Sequence, residues 1–174
     1  MQTVKLKEIL IKNVDQTDIE KSGFYTQVTV RLWGKGIFKR DEIRGSDIKS
    51  GKRFIVKENQ FIISKIDARH GAYGLIPKEL NGAVITSDFP SYNLDANRIL
   101  PQYFQWIFSQ KKFVELCKDA SSGTTNRIRL NESKFLNLEI SLPSINKQEE
   151  ITSRLNQDSK IIKIINEYKI KIMK

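Results

Sequence analysis

A chain of 174 residues with a net charge of +10 and a pI near 9.7 has room for one domain plus an appendage, and its charge favours a polyanionic partner. A single cysteine, Cys117, excludes an internal disulfide, while a single histidine, His70, with no cysteine nearby argues against a metal site, and nothing in the chain calls for a cofactor. No apolar run approaches the ~18 residues of a membrane span and no signal peptide opens the chain, so it reads as soluble and cytoplasmic with no membrane partner.

Met1–Ser22 holds apolar positions Val4, Leu6, Ile9, Leu10 and Ile11 in an order too mixed to assign to helix or strand. Phe24–Leu32 alternates, with Val28, Val30 and Leu32 on one face, as a half-buried strand does. Gly34-Lys35-Gly36 makes a turn, and Ile37–Arg40 is expected to pair back. Trp33 and Phe38 beside this turn either stack on bases or anchor the loop on the core. The core reading is favoured, because aromatic residues beside turns usually pack. Asp41–Lys52 reads as a polar surface excursion with at most one helical turn.

The positive charge is clustered. Residues 31–70 carry eleven Lys/Arg against five Asp/Glu, a net of +6, whereas residues 1–30 balance to zero and residues 71–110 sum to −1. Such clustering points to nucleic-acid phosphates, although a Lys-, Ile- and Asn-rich composition also raises the charge without any partner. Arg40, Arg44, Lys49, Lys52 and Arg53 fit either phosphate contact or a solvated face.

Arg53–Lys57 and Phe61–Ile66 predict successive strands, followed by a turn at Arg69-His70-Gly71. Asn81-Gly82 ahead of the Ala83–Thr86 strand predicts a hairpin turn of type I′, whose two central residues need positive φ. Pro101 suits the first turn of a helix, and Leu100–Asp119 predicts one helix. Its wide apolar face, from Tyr103 to Cys117, should pack on a sheet with Cys117 as a buried thiol. Ser121–Asn131 is a polar loop. Its hydroxyls, Arg127 and Arg129 suit phosphate oxygens, and a capped helix-to-strand connection fits equally well. Phe135–Leu142 predicts a strand ended by Pro143.

Ser144–Lys174 differs in character. Asn146 followed by Glu149 resembles a capping box at a helix start. Ile151, Leu155, Ile162, Ile165 and Ile172 follow a heptad seam if Asp158 and Lys169 are admitted as polar positions. A long Ile-rich helix predicts a partner helix, from a second copy or from a continuation of the chain; folding back on its own domain is the alternative.

Five motifs stand in order along the chain: Ser64, Lys65, Ala68, Arg69, Gly71 and Ala72; then Gly82, Val84, Ser87, Asp88 and Phe89; then Pro101 and Tyr103; then Ser122, Gly123, Thr124, Thr125, Arg127, Arg129 and Leu130; then Leu142, Pro143, Gln148 and Ile151. Together they resemble the signature of type I restriction-modification specificity subunits. The resemblance implies an α+β fold: a globular mixed α/β target recognition domain over residues 1–143, followed by a long C-terminal coiled-coil helix over residues 144–174.

It also implies sequence-specific recognition of double-stranded DNA, one half of a bipartite target per domain. Modification subunits, which methylate adenine at N6, and restriction subunits would be the partners. The chain itself would be non-catalytic, and would either dimerise or pair intramolecularly through its C-terminal helix. The residues expected on DNA are Lys35, Lys39, Arg40, Arg44, Lys65, Arg69, Thr124, Thr125, Arg127 and Arg129, of which Lys65, Arg69, Arg127 and Arg129 either hold phosphates or brace loops. Base reading is expected from residues 31–60. No Asn-Pro-Pro-aromatic motif, Gly-rich cofactor loop or Walker motif is present, and Asp47-Ile48-Lys49 and Glu132-Ser133-Lys134 are the chance triplets expected of so charged a chain. A basic oligomerising scaffold that recognises nucleic-acid shape is the rival reading.

Overall fold

A computed structural model describes residues 1–49, 51–124 and 127–172, with residues 163–172 as helical backbone alone. The elements in chain order are β1 (Gln2–Lys5), β2 (Leu10–Lys12), β3 (Gln16–Thr17), β4 (Phe24–Arg31), β5 (Gly36–Arg44), β6 (Arg53–Ile55), β7 (Phe61–Ile63), β8 (Tyr73–Leu75), β9 (Val84–Thr86), β10 (Ser91–Leu94), α1 (Pro101–Ser109), α2 (Lys111–Asp119), β11 (Ser121–Ser122), β12 (Arg129–Leu130), α3 (Glu132–Leu136), β13 (Glu139–Leu142) and α4 (Ile145–Ile172). This is the mixed α+β architecture expected.

One sheet of five strands has the order β3-β6-β9-β4-β5, and one of four has the order β2-β10-β7-β8. β7 joins their interiors. Successive side chains of a strand point to opposite faces, so Phe61 and Ile63 enter a large aromatic core while Ile62 enters a second core with Val28, Ile37, Val56, Ile76, Leu80, Ala83 and Ile85. The Phe61 ring lies 5.0 to 6.5 Å, centroid to centroid, from those of Tyr73, Tyr92, Phe104, Phe108, Phe113 and Phe135.

The predicted single helix Leu100–Asp119 is two. Gln110 adopts extended backbone, φ −76 and ψ 142, and serves as the last cap of α1 and the first of α2. Ser109 Oγ and Gln110 Nε2 both donate to the Trp106 carbonyl at 2.7 and 3.1 Å, replacing the helical hydrogen bonds that would continue α1. The break turns α2 so that Phe113 and Cys117 face the ring cluster.

Three further expectations are corrected. Phe135 lies in α3 rather than in a strand, because the Asn131 side chain caps Lys134 N at 2.9 Å and starts a helix; only Glu139–Leu142 is extended. Asn81 has φ −60 and Gly82 φ +86, a type II pattern, and β8 and β9 on either side of this turn belong to different sheets. Asn146 does not cap α4, which begins at Ile145 with the Ser144 carbonyl accepting from Gln148 N at 3.0 Å.

Gln148 is fully buried and its amide is fully used. Its Oε1 accepts from Leu100 N at 2.9 Å, and its Nε2 donates to the carbonyls of Arg98 at 2.8 Å and Pro143 at 2.9 Å. One side chain thus ties the start of α4 to the start of α1. Ile151, one turn on, packs against the aromatic core, whereas Ile161 and Ile162 are 54% and 58% exposed.

Gln148→Ala leaves these buried backbone groups unpaired and should cost about 2–4 kcal/mol, measured as a drop in urea midpoint at unchanged m-value. Cys117 is buried, which pushes its thiol up to about 12. Because only a thiolate is nucleophilic, a disulfide reagent at pH 8 should label Cys117 only as fast as the chain opens, and immediately after denaturation.

Candidate nucleic-acid interface

The candidate surface is the β4–β5 arm together with the 64–72 turn on which its tip rests. β4 and β5 pair from Phe24 opposite Arg44 to Arg31 opposite Gly36, with a bulge between Gln27 and Val28. The strand reaches Arg44, so the segment 41–44 expected as surface excursion belongs to the arm. At the tip, Trp33 and Gly34 have φ of +63 and +65, and Lys35 N donates to the Leu32 carbonyl at 3.3 Å. Two consecutive central residues at positive φ are the mark of a type I′ turn, found here rather than at Asn81-Gly82.

The tip is docked. Trp33 N donates to the His70 carbonyl at 2.7 Å and Gly34 N to the Gly71 carbonyl at 3.0 Å. A Cβ on Gly71 would lie 3.2 Å from Gly34 N, at a φ of +73, so glycine is required there by close approach as well as by conformation. Around this contact the 64–72 turn is self-supporting. Ser64 Oγ accepts from Asp67 N at 3.2 Å, Ser64 N donates to Ala72 O at 2.9 Å, and Ala68 and Ala72 are buried. Arg69 Nε donates to His70 Nε2 at 3.0 Å.

Trp33 and Phe38 are 67% and 41% exposed, which overturns the core reading of both. The Arg31 guanidinium sits 4.4 Å over the Phe38 ring, a cation–π contact on the arm surface. Arg31 opens the 31–60 segment expected to read bases but was not among the individually expected contacts. Its signal was strand alternation, which puts it opposite the turn glycine Gly36 and two residues from the exposed Trp33.

The expected cations separate by their partners. Lys39 pairs with Glu42 at 3.1 Å and Arg40 with Asp41 at 3.5 Å, both in solvent. Lys35 and Arg44 are exposed and belong to no ion pair among the described residues. Lys65 lies 3.4 Å from Glu132, which also holds Lys12, and Arg129 pairs with Asp88. The backbone follows the same route: Lys65 N donates to Asp88 O at 2.9 Å, and Leu130 N to Lys65 O at 2.7 Å.

Lys65 and Arg129 therefore bind the 64–72 turn, the 88–89 turn and the β11–β12 hairpin to one another. Partial burial works against the Glu132 charge, but Lys12, the Tyr92 hydroxyl and Lys65 hold its carboxyl below the usual range. Its stabilising effect is present above the ordinary carboxylate pKa and is lost as pH falls through the lowered value.

Arg127 is exposed, its backbone N donating at 2.8 Å to the carbonyl of Thr124, itself exposed. Thr125 lies outside the described residues. Of the helix positions, Ile151 and Leu155 are half-buried and Ile162 is exposed, while the side chains of Ile165 and Ile172 lie outside the description. Among the described residues no group of three His, Cys, Asp or Glu side chains converges as a metal site would require, and no helix is long and apolar enough to cross a membrane.

The model of the type I restriction modification DNA specificity domain matches residues 1–174. No curated protein matches the sequence. Among solved structures, the HsdS subunit from Thermoanaerobacter tengcongensis superposes with a TM-score of 0.76 at 15% identity, covering 94% of this chain and 43% of that one. A chain described under complex assembly and conformational transition of the type I R-M system gives 0.75 at 16%, covering 95% and 43%. The S subunit of a type I restriction-modification system from M. genitalium gives 0.56 at 16%, covering 91% and 39%. The chain thus spans less than half the length of these neighbours, and likeness at such identity speaks for the fold. With the family model spanning it from end to end, the chain belongs to the type I restriction modification DNA specificity domain family.

Proposed function

We propose that this protein reads one half of a bipartite duplex DNA target on behalf of partner subunits that methylate and cleave. The observation that carries this reading is the specificity-domain match across residues 1–174. The basic β4–β5 arm supports it: charge and exposed aromatic surface occur together on an element stiffened by pairing along its whole length. Residues 1–143 would form the DNA-reading domain and residues 144–174 the spacer and assembly helix.

α4 supports that role because it is anchored at one end by Gln148 and exposes Ile161 and Ile162 further on, a face suited to a second helix from another copy or from the same polypeptide. Methyl transfer and cleavage would belong to the modification and restriction subunits, in the cytoplasm where the DNA is, and the chain itself would do no chemistry. Lys35, Lys39, Arg40, Arg44, Arg69 and Arg127 would lie along the backbone, with Thr124, bonded to Arg127 N, and Thr125 as further phosphate contacts. Lys65 and Arg129 would act as braces through Glu132 and Asp88.

The cations divide accordingly in a salt titration. Arg127→Ala and Lys35→Ala should each lower the slope of log K against log[salt] by about 0.9, because each releases one fewer counterion. Arg129→Ala should leave that slope nearly unchanged and instead lower the melting temperature slightly, since an exposed pair contributes at most about 1 kcal/mol. Equal slope changes at Arg127 and Arg129 would return Arg129 to the phosphate-contacting set.

The function itself is tested by co-expressing the chain with its modification subunit in a host free of adenine methylation and mapping N6-methyladenine. A split motif is expected, palindromic if two copies pair through α4. The complex should then prefer a duplex carrying that motif over random duplex by about 10³-fold or more. Equal affinity for both would replace sequence reading with the shape-recognising scaffold.

A further inference from the structure

Trp33 breaks a local rule at an exposed place. The first central position of a type I′ turn is taken by Asn, Asp or Gly, because φ there is positive. A bulky aromatic residue at φ +63 is strained, and such strain persists only where the surroundings impose it. Burial does not compensate for it, since the side chain is 67% exposed.

The surroundings do hold it. Trp33 N is bonded to His70 O at 2.7 Å, and the indole lies 5.5 Å from the His70 ring, tilted by 59°. Gly71 leaves room for this contact, its absent Cβ standing 3.4 Å from Trp33 Cα. The ring is therefore presented from a fixed support. Arg31 and Lys35 stand two residues to either side of Trp33 and Arg69 precedes the His70 on which the tip rests, while Lys39 and Arg40, further down the arm, are paired with Glu42 and Asp41, so the tip itself carries net positive charge. An exposed indole next to cations is complementary to a duplex whose phosphates attract the charge and whose groove offers apolar surface at the thymine methyl.

We propose that Trp33 contacts a base of the DNA target. The arm tip presents the indole to the recognised duplex, adding an uncharged, base-directed contact to the phosphate attraction of the cations around it. This rests on the DNA-reading function proposed above and names the residue that carries part of its selectivity.

The test uses the complex with its modification subunit and a duplex bearing the mapped motif. Trp33→Gly removes the ring while supplying the residue the turn favours, so the melting temperature should hold or rise. Affinity for the motif duplex should fall about tenfold or more while the salt slope is unchanged, because no charge is lost. In parallel, duplexes substituted with 5-iodouracil at successive thymines are photo-crosslinked to the parent complex and the attached peptide is sequenced. A crosslink at Trp33 together with the affinity loss is the expected result.

Loss of affinity without any crosslink at Trp33 makes the residue a structural part of the tip and overturns the contact. Unchanged affinity of Trp33→Gly overturns it as well. If the parent complex shows no preference for any duplex, the DNA-reading function falls and this contact with it, whereas a preference that Trp33→Gly retains undiminished removes only the contact.

Discussion

The three residues of β7 constrain the molecule more than any other element. Phe61 and Ile63 are buried in one core and Ile62 in the other, so the register of a single strand sets the relation between the four-stranded sheet with its helices and the five-stranded sheet with its arm. A slip by one residue would exchange the faces and put Ile62 among the rings. The aromatic cluster holds that register. Phe61 meets Phe104 edge-on at 70° and Phe135 stacked at 13°, so rings from α1 and α3 close on it in different orientations. Truncating Phe61 would remove area and leave a cavity that several elements line, which is the costly kind of core substitution.

The five motifs that carry the family resemblance are largely joints of this frame. Lys65, Asp88 and Arg129 come from three different motifs and meet through two backbone hydrogen bonds and the pairing of Asp88 with Arg129. Gln148 of the last motif, bonded to the Pro143 carbonyl of the same motif, clasps Arg98 and Leu100 just before Pro101 of the third. Gly123 has no room for a side chain, since a Cβ would stand 2.3 Å from the Arg127 carbonyl. Residues of this kind are required by backbone geometry rather than by what the surface presents. The arm differs from these joints, since there only the turn and the docking of its tip restrict the choice of residues.

This separates what the sequence reveals from what it hides. The β4 strand, the return of β5, the buried thiol of Cys117 and the long C-terminal helix are legible because each follows from local alternation or periodicity. The break at Gln110 is hidden, since no Gly or Pro marks it and the decision is made by competition of Ser109 and Gln110 for one carbonyl. A turn between β4 and β5 is legible at Gly34-Lys35-Gly36, but its central pair, Trp33-Gly34, is hidden for a related reason. Trp is a poor turn former, and what holds it there is the 68–71 backbone, more than thirty residues away in sequence. Asn81-Gly82 misleads in the opposite sense: its strong local signal yields to strands that belong to different sheets. The role of individual cations was equally illegible, because Lys65 and Arg127 look alike until Glu132 is placed beside the first.

Rigidity of the arm and exposure of its tip are two consequences of one arrangement. A two-stranded ribbon alone is marginal in water, and an exposed Trp on a flexible loop would collapse onto the nearest apolar surface. Here β4 is also paired with β9, and the tip is bonded to the 68–71 turn, whose own strand β7 lies at the centre of both cores. The ring cluster around Phe61 thus acts at a distance on the arm. By fixing β7 it fixes the 64–72 turn, and by fixing that turn it keeps an apolar side chain in solvent where it would not otherwise stay. Loosening of the core should accordingly be felt at the arm tip as lost order before the chain unfolds, because an element held through a few hydrogen bonds opens at lower free energy than the core that supports it.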